Sequence, residues 1–237
     1  MSENICISNV TKRFEDGFRV EINDLSLLRG RIYGLIGPNG AGKTTSMKCL
    51  CGLAKLDSGQ ILIDDHPMLL GNEETNRMLG TNFIDMEGLI GFTLQEIYDE
   101  QKFYFGLSSI PTLESLLQQV ELNVETTFYF DNMSLGMKQR FLLVLTFLHN
   151  PQVVFLDEPF NGLDPDGHRL FVKLIKHYSQ ECIIVISSHG LNDLEGFIHA
   201  AIFIENGYVK DTKSIETITN TYNGGLSDYY DRQKTIV

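Results

Sequence analysis

Basic residues are scarce in this sequence: 19 Lys and Arg stand against 31 Asp and Glu in 237 residues, a formal net charge of −12. A main role on the phosphate backbone of nucleic acid is not expected, because that needs a basic face. Electrostatic docking on an anionic membrane is disfavoured for the same reason. Long apolar runs are missing too. The longest, Phe141 to Leu148, falls far short of the ~18–20 residues of a spanning helix. Met1 to Ser8 lacks a basic start followed by an apolar stretch, so no secretory signal is expected. The four cysteines, Cys6, Cys49, Cys51 and Cys182, fit neither zinc nor redox spacing. They read as small buried hydrophobes in a reducing compartment. Pro-rich linkers, low-complexity tracts and internal repeats are absent, and residues 1–237 read as one domain. A composition of 43% hydrophobic and 21% charged residues excludes general disorder.

What is there has the pattern of an α/β protein. The N-terminal stretch alternates apolar and polar residues around Asp16-Gly17, which predicts antiparallel strands. Ile32 to Ile36 predicts a strand, Lys43 to Leu53 a helix, and Gly59 to Asp64 a further strand. Val153 to Leu156 and Ile183 to Ile186 are almost wholly apolar, as strands at the centre of a parallel sheet covered on both faces are. Asn206-Gly207 between two short apolar runs predicts a hairpin. Residues from about 86 to 148 predict helices. One starts after Pro111 with Leu113, Leu116, Leu117 and Val120 on a single face. Ile97, Tyr98, Phe103, Tyr104 and Phe105 form a stripe expected in the core, with a partner-docking surface as the other reading. Residues 211–237 are polar, with paired Tyr229-Tyr230, and are expected to be a short surface extension.

Chemistry concentrates in two segments. Gly37-Pro38-Asn39-Gly40-Ala41-Gly42-Lys43-Thr44-Thr45 matches GxxxxGK[ST] between a strand and a helix. Its glycines let backbone N–H groups turn inward on an anion, and the helix N-terminus adds partial positive charge. Lys43 reaches the β- and γ-phosphates of a nucleotide, and the Thr44 hydroxyl is a ligand for Mg2+. The second segment, Val153 to Pro159, is a buried strand ending in Asp157 and Glu158. Carboxylates just past the carboxyl end of a strand sit where α/β folds bind ligands. Asp157 is a candidate for holding Mg2+ and Glu158 for polarising an attacking water. His189 follows a second buried strand on the same edge and is a candidate contact for the γ-phosphate.

These residues together resemble the nucleotide-binding domain of ATP-binding cassette (ABC) transporters. Met133-Ser134-Leu135-Gly136-Met137-Lys138-Gln139-Arg140 resembles the family signature, commonly LSGGQ. Asn161-Gly162-Leu163-Asp164-Pro165 resembles its D-loop, and Phe14 falls where the family has an aromatic that stacks on adenine. The resemblance covers essentially the whole chain. It implies the ABC ATPase fold: a P-loop NTPase core with a mostly parallel sheet, an N-terminal antiparallel β subdomain and a helical subdomain. It also implies that Ser134, Leu135, Gly136 and Met137 close the ATP site of a second nucleotide-binding subunit, in a homo- or heterodimer.

Two departures stand out. Leu135 and Met137 replace the commonest Gly and Gln, as in some bacterial exporter ATPases of the antibiotic and lantibiotic-resistance type. The family also places a Gln after the strand spelled Met78 to Phe83. Counting puts Ile84 there, or Asp85 after a one-residue slip, and Asp85 is the one able to ligate a metal. The resemblance thus implies a cytoplasmic Mg2+-dependent ATPase on the inner face of the membrane, powering a separate transmembrane permease, an exporter. The other reading is a soluble ABC ATPase acting as a nucleotide-dependent switch, of the iron–sulfur assembly type. DNA-repair members are excluded because the interval from 46 to 133 is too short for their coiled coils.

Overall fold

A computed structural model of the chain describes residues 4–69, 71–83 and 86–234. Strands β1 (Asn4–Arg13), β2 (Arg19–Leu28) and β3 (Ile32–Ile36) lead into helix α1 (Lys43–Leu50). Next come β4 (Ser58–Ile63), β5 (His66–Pro67), α2 (Glu73–Met78) and β6 (Leu79–Thr81). Helices α3 (Leu94–Tyr104), α4 (Leu113–Gln119) and α5 (Leu135–Phe147) precede β7 (Val153–Asp157). The remainder is α6 (Pro165–Tyr178), β8 (Ile183–Ser188), α7 (Leu191–Leu194), β9 (Ala200–Glu205), β10 (Tyr208–Ser214), α8 (Ile215–Thr221) and α9 (Gly225–Lys234).

All the described strands join one mixed sheet in the order β5-β4-β1-β2-β10-β9-β3-β8-β7-β6. The expected antiparallel N-terminal layer is there, with β1 pairing antiparallel to both β2 and β4. The chemistry-bearing half is parallel: β3 lies between β8 and β9, and β7 lies between β8 and β6. Successive side chains of a strand point to opposite faces, and the buried parallel strands split their residues accordingly. Ile32, Ile36, Val154, Leu156, Ile184 and Ile186 pack under the helices on one face. Tyr33, Leu35, Val153, Phe155, Ile183 and Val185 pack with α1 and the N-terminal strands on the other. That double coverage is why these strands are apolar throughout. The Asn206-Gly207 turn has positive φ at both residues (49° and 82°), as a type I′ hairpin needs. Its Gly207 N–H donates to Ala41 O at 2.8 Å, so the hairpin props the loop before α1.

Helix starts follow local chemistry. Thr93 and Glu96 make a capping box for α3, Thr112 rather than Pro111 caps α4, and Asp164 caps α6 ahead of Pro165. Helix α1 stops at Leu50, short of Leu53, because the chain turns at Gly52 with φ 70°. The stripe on α3 divides. Ile97, Tyr98 and Phe105 are buried, whereas Phe103 is 89% and Tyr104 57% exposed. Five apolar residues in nine positions cover more of the helix than one buried face holds.

The C-terminal segment departs from the expected surface extension. Ile218, Leu226 and Tyr229 are buried in the same core as β3 and β8. The Tyr229 ring meets Phe203 at 4.9 Å and Tyr222 at 5.0 Å edge-on, and its hydroxyl donates to Asp211. The Lys213 ammonium lies 4.7 Å over the same ring. Hydrogen bonds to Tyr229 and Asp211 push the Lys213 pKa up to about 12. Burial works to raise the Asp211 pKa, but hydrogen bonds from Tyr229, Lys213 and the Thr212 N–H prevail and hold it below its ordinary value.

Replacing Tyr229 by Ala is expected to cost roughly 3–5 kcal/mol in urea unfolding, the usual range for a buried aromatic. Tyr229→Phe, which keeps the ring, is expected to cost about 1 kcal/mol. The wild type–Phe difference should shrink as pH falls through the depressed pKa of Asp211. Below it the carboxyl is protonated in both folded and unfolded chains.

Candidate functional site

The parallel strands β3, β6, β7 and β8 all end at one edge of the sheet, and the predicted phosphate-binding and acidic residues meet there. After β3 the chain runs through Gly37 to Gly42 and enters α1 at Lys43. Gly37 is packed so tightly that a Cβ would stand 2.3 Å from Ile204 O. Gly42 occupies the N-cap position at φ 92°, leaving α1 with no side-chain cap and no acid in its first turn. The first N–H groups of α1 are therefore free of side-chain acceptors and face the loop, an arrangement that attracts anions. The Lys43 ammonium curls back over the loop and donates to Gly37 O at 2.8 Å and Pro38 O at 3.2 Å.

Thr44 projects from the first turn of α1 and donates its hydroxyl to Asp157 Oδ2 at 2.6 Å. Glu158 is the next residue, with φ 45°. Its Oε2 accepts from His189 Nδ1 at 2.7 Å and from the His189 backbone N–H at 3.3 Å. An open cleft of about 430 Å³ runs over this edge, lined by Phe14, Phe18, Asn39, Lys43, Thr44 and Glu158 among others. Gly40, Ala41, Gly42 and Thr45 line it too. Phe14 and Phe18 tilt against each other at 6.3 Å, and Lys12 lies 5.7 Å over Phe14.

Beneath the site, Cys49 and Cys51 are buried. Burial, then the neighbouring Cys49 and Asp157 charges, push the Cys51 thiol well up. Burial raises Cys49 to about 11, against a lowering by Lys12. Both thiols stay protonated and supply apolar bulk, and Cys182 is buried as expected, whereas Cys6 on β1 is only half-buried.

The signature residues stand elsewhere. Ser134 caps α5 and accepts from Met137 N–H at 3.3 Å. Ser134, Gly136, Met137, Arg140 and Asp164 line a second cleft of about 390 Å³, while Leu135 is exposed. Arg140 donates to Asp164 Oδ1 at 3.3 Å. The first cleft contains none of these side chains. Ile84 and Asp85, the candidates for the missing Gln, lie outside the described residues.

Three residues of the site had no role in the sequence reading. Phe18 joins Phe14 in the cleft, and Asn82 and Ser187 bind the Asp157–Glu158 segment. The sequence held one signal for Asn82, a polar amide following an apolar strand beside the acids' own strand. Ser187 had a comparable one, a hydroxyl at the end of an apolar strand.

Known proteins are similar to this chain in sequence and in fold. Residues 20–161 match the family described as ABC transporter. The bacitracin transport ATP-binding protein of Bacillus licheniformis is 34% identical over 210 residues, 87% of this chain and 68% of the relative. The lantibiotic transport ATP-binding protein of Streptococcus pyogenes is 33% identical over 234 residues, 96% of both chains. A solved ATP-binding subunit of an ABC transporter overlays with a TM-score of 0.80 at 24% identity, over 96% of both chains, which speaks to the fold. With a loop of this geometry, an Asp-Glu strand end and a signature-bearing helix on one sheet, the chain belongs to the ABC transporter family.

Proposed function

We propose that this chain is an ATP-hydrolysing subunit that powers a separate membrane-embedded transporter, working as an exporter. The observation that carries the proposal is the meeting, at one sheet edge, of an uncapped loop, the Thr44–Asp157 pair and the Glu158–His189 pair. The loop suits a nucleotide triphosphate: it offers unpaired N–H groups and an ammonium, and the cleft opens between it and two aromatic rings. Thr44 and Asp157 suit Mg2+, because a hydroxyl and a carboxylate oxygen already face each other as hard oxygen donors. Bound there, Mg2+ would supply charge neutralisation at the phosphates.

The residues divide the work. Lys43 and the loop N–H groups of Gly40 and of Gly42 to Thr45 bind and orient the phosphates, the Ala41 N–H being held by Pro38 O at 3.1 Å, and Phe14 stacks on the base. Glu158 Oε2 is engaged by His189, which orients the carboxylate and leaves Oε1 to take a proton from water. His189 then supports the γ-phosphate through its ring. Ser134, Gly136 and Met137 line a cleft of their own together with Asp164, and Leu135 is exposed, so these four signature residues act on the nucleotide of a second copy or a related subunit. A homodimer or heterodimer follows, closed by ATP and opened after hydrolysis.

The membrane partner is supported by three features. The relatives named above are transport ATP-binding proteins. No helix among the described residues is long and apolar enough to cross a membrane. Ile90, Phe92, Phe103 and Tyr104 expose apolar surface in the helical region, and Phe103 and Tyr104 carry the docking reading of the α3 stripe. The subunit would then work at the inner face of the membrane, bound through its partner, and has no role on nucleic acid.

Glu158→Gln is expected to slow ATP turnover by roughly 10²–10⁴, the usual worth of general acid–base catalysis, with ATP binding retained. Turnover near wild type would remove Glu158 from this role. Gly37→Ala is expected to weaken ATP binding by about tenfold or more, measured by titration with a fluorescent ATP analogue. The added methyl has to displace the backbone at Ile204 O, and tenfold is the worth of about one hydrogen bond.

A further inference from the structure

Glu158 sits in a conformation it would not choose. A φ of 45° puts a residue with a Cβ in the left-handed region, and Pro159 crowds any non-extended conformation of the residue before it. Such a backbone persists only where its surroundings impose it. The imposing groups come from the two strands that flank β7.

Asn82, directly after β6, brackets Asp157. Its Oδ1 accepts from Asp157 N–H at 2.7 Å and its Nδ2 donates to Asp157 O at 2.9 Å. Ser187, fully buried in β8, donates its hydroxyl to Asp157 Oδ1 at 2.5 Å and accepts from Glu158 N–H at 2.9 Å. The carbonyl of Asp157 and the N–H of Glu158 belong to one planar peptide unit. Asn82 therefore holds one end of that plane and Ser187 the other. A plane held at both ends cannot swing about the strand axis. The direction in which the Glu158 Cα–Cβ bond leaves it, toward His189, is then set as well.

We propose that Asn82 and Ser187 are positioning residues for Glu158, gripping both ends of the 157–158 peptide and aiming the Glu158 carboxylate. Neither touches the reacting atoms; both act through the backbone. Asn82 does more than continue the β6–β7 ladder, because its amide reads both polar groups of Asp157 with a side chain. Ser187 couples the two acids, since one hydroxyl serves the carboxylate of Asp157 and the amide of Glu158. This inference rests on the role proposed for Glu158.

The test uses the full chain with Asn82→Leu, Ser187→Ala and Ser187→Thr, each alone and combined with Glu158→Gln. The first readout needs no nucleotide: amide hydrogen exchange at Glu158. It is expected to quicken about tenfold in Asn82→Leu and Ser187→Ala, with Leu156 unchanged, and to return toward wild type in Ser187→Thr, which keeps the hydroxyl. The second is ATP turnover with Mg2+. kcat is expected to fall by roughly 10–100-fold with KM within about threefold, and to recover in Ser187→Thr. In the Glu158→Gln background the same substitutions should leave kcat unchanged, because they act through the group already removed.

Unchanged exchange at Glu158 would overturn the proposal. An equal loss of kcat with and without Glu158 would overturn it too, as would an effect confined to KM or to the Mg2+ requirement, which assigns the pair to Asp157. If Glu158→Gln turns over like wild type, the catalytic reading of Glu158 fails. The exchange experiment then still decides whether the peptide is held.

Discussion

Parallel pairing of β3, β8, β7 and β6 brings four strand ends to one edge of the sheet, and every polar group of the nucleotide site hangs from that edge. The Asp157 carboxylate is its centre. One oxygen takes the Thr44 hydroxyl from α1 and the other takes Ser187 from β8. Such short hydrogen bonds to a carboxylate are stronger than neutral ones, and they bind the phosphate loop, the acid-bearing strand β7 and strand β8 into one unit. The apolar filling on both faces is what allows it. Parallel strands need cover above and below, and the alternation of residues along β7 and β8 supplies both layers.

In the proposed dimer the same geometry would divide the site between molecules. A nucleotide on the loop has Lys43, Thr44 and Glu158 within one cleft, while Ser134 and Gly136 line another. Contacts formed only when two subunits close are what give a ligand differential affinity for the closed state, and without that difference ATP could shift no population. In the proposed complex the exposed apolar residues of the helical region would give that motion something to pull on, a surface apart from both clefts.

Local chemistry made much of this legible in the amino-acid sequence. Asn206-Gly207 needs two positive φ angles and marks its hairpin from two letters alone. Ser134 announces the start of α5, and the GxxxxGK[ST] run carries its strand-loop-helix context with it. What stayed hidden depends on contacts between distant segments. Nothing near Tyr229 tells that Phe203 and Tyr222 wait to enclose it, so a polar tail read as surface turned out to insert into the core. Phe103 and Tyr104 looked like core because hydrophobicity does not reveal which face of α3 is covered. Asn82 carries no motif, and its partner lies 75 residues on. The family match, through relatives at 33–34% identity, carries the fold. The hold on Glu158 comes from this chain's own residues.

The central claim is that ATP joins two copies of the site across an interface. Sedimentation velocity of the Glu158→Gln chain, with and without ATP and Mg2+, addresses it most directly, because slowed hydrolysis should keep the closed state populated. The expected result is a doubling of mass with ATP that is absent without it, and that is abolished when Ser134 or Gly136 is replaced by a bulky residue. A chain that binds ATP but keeps the same mass in both conditions would contradict it.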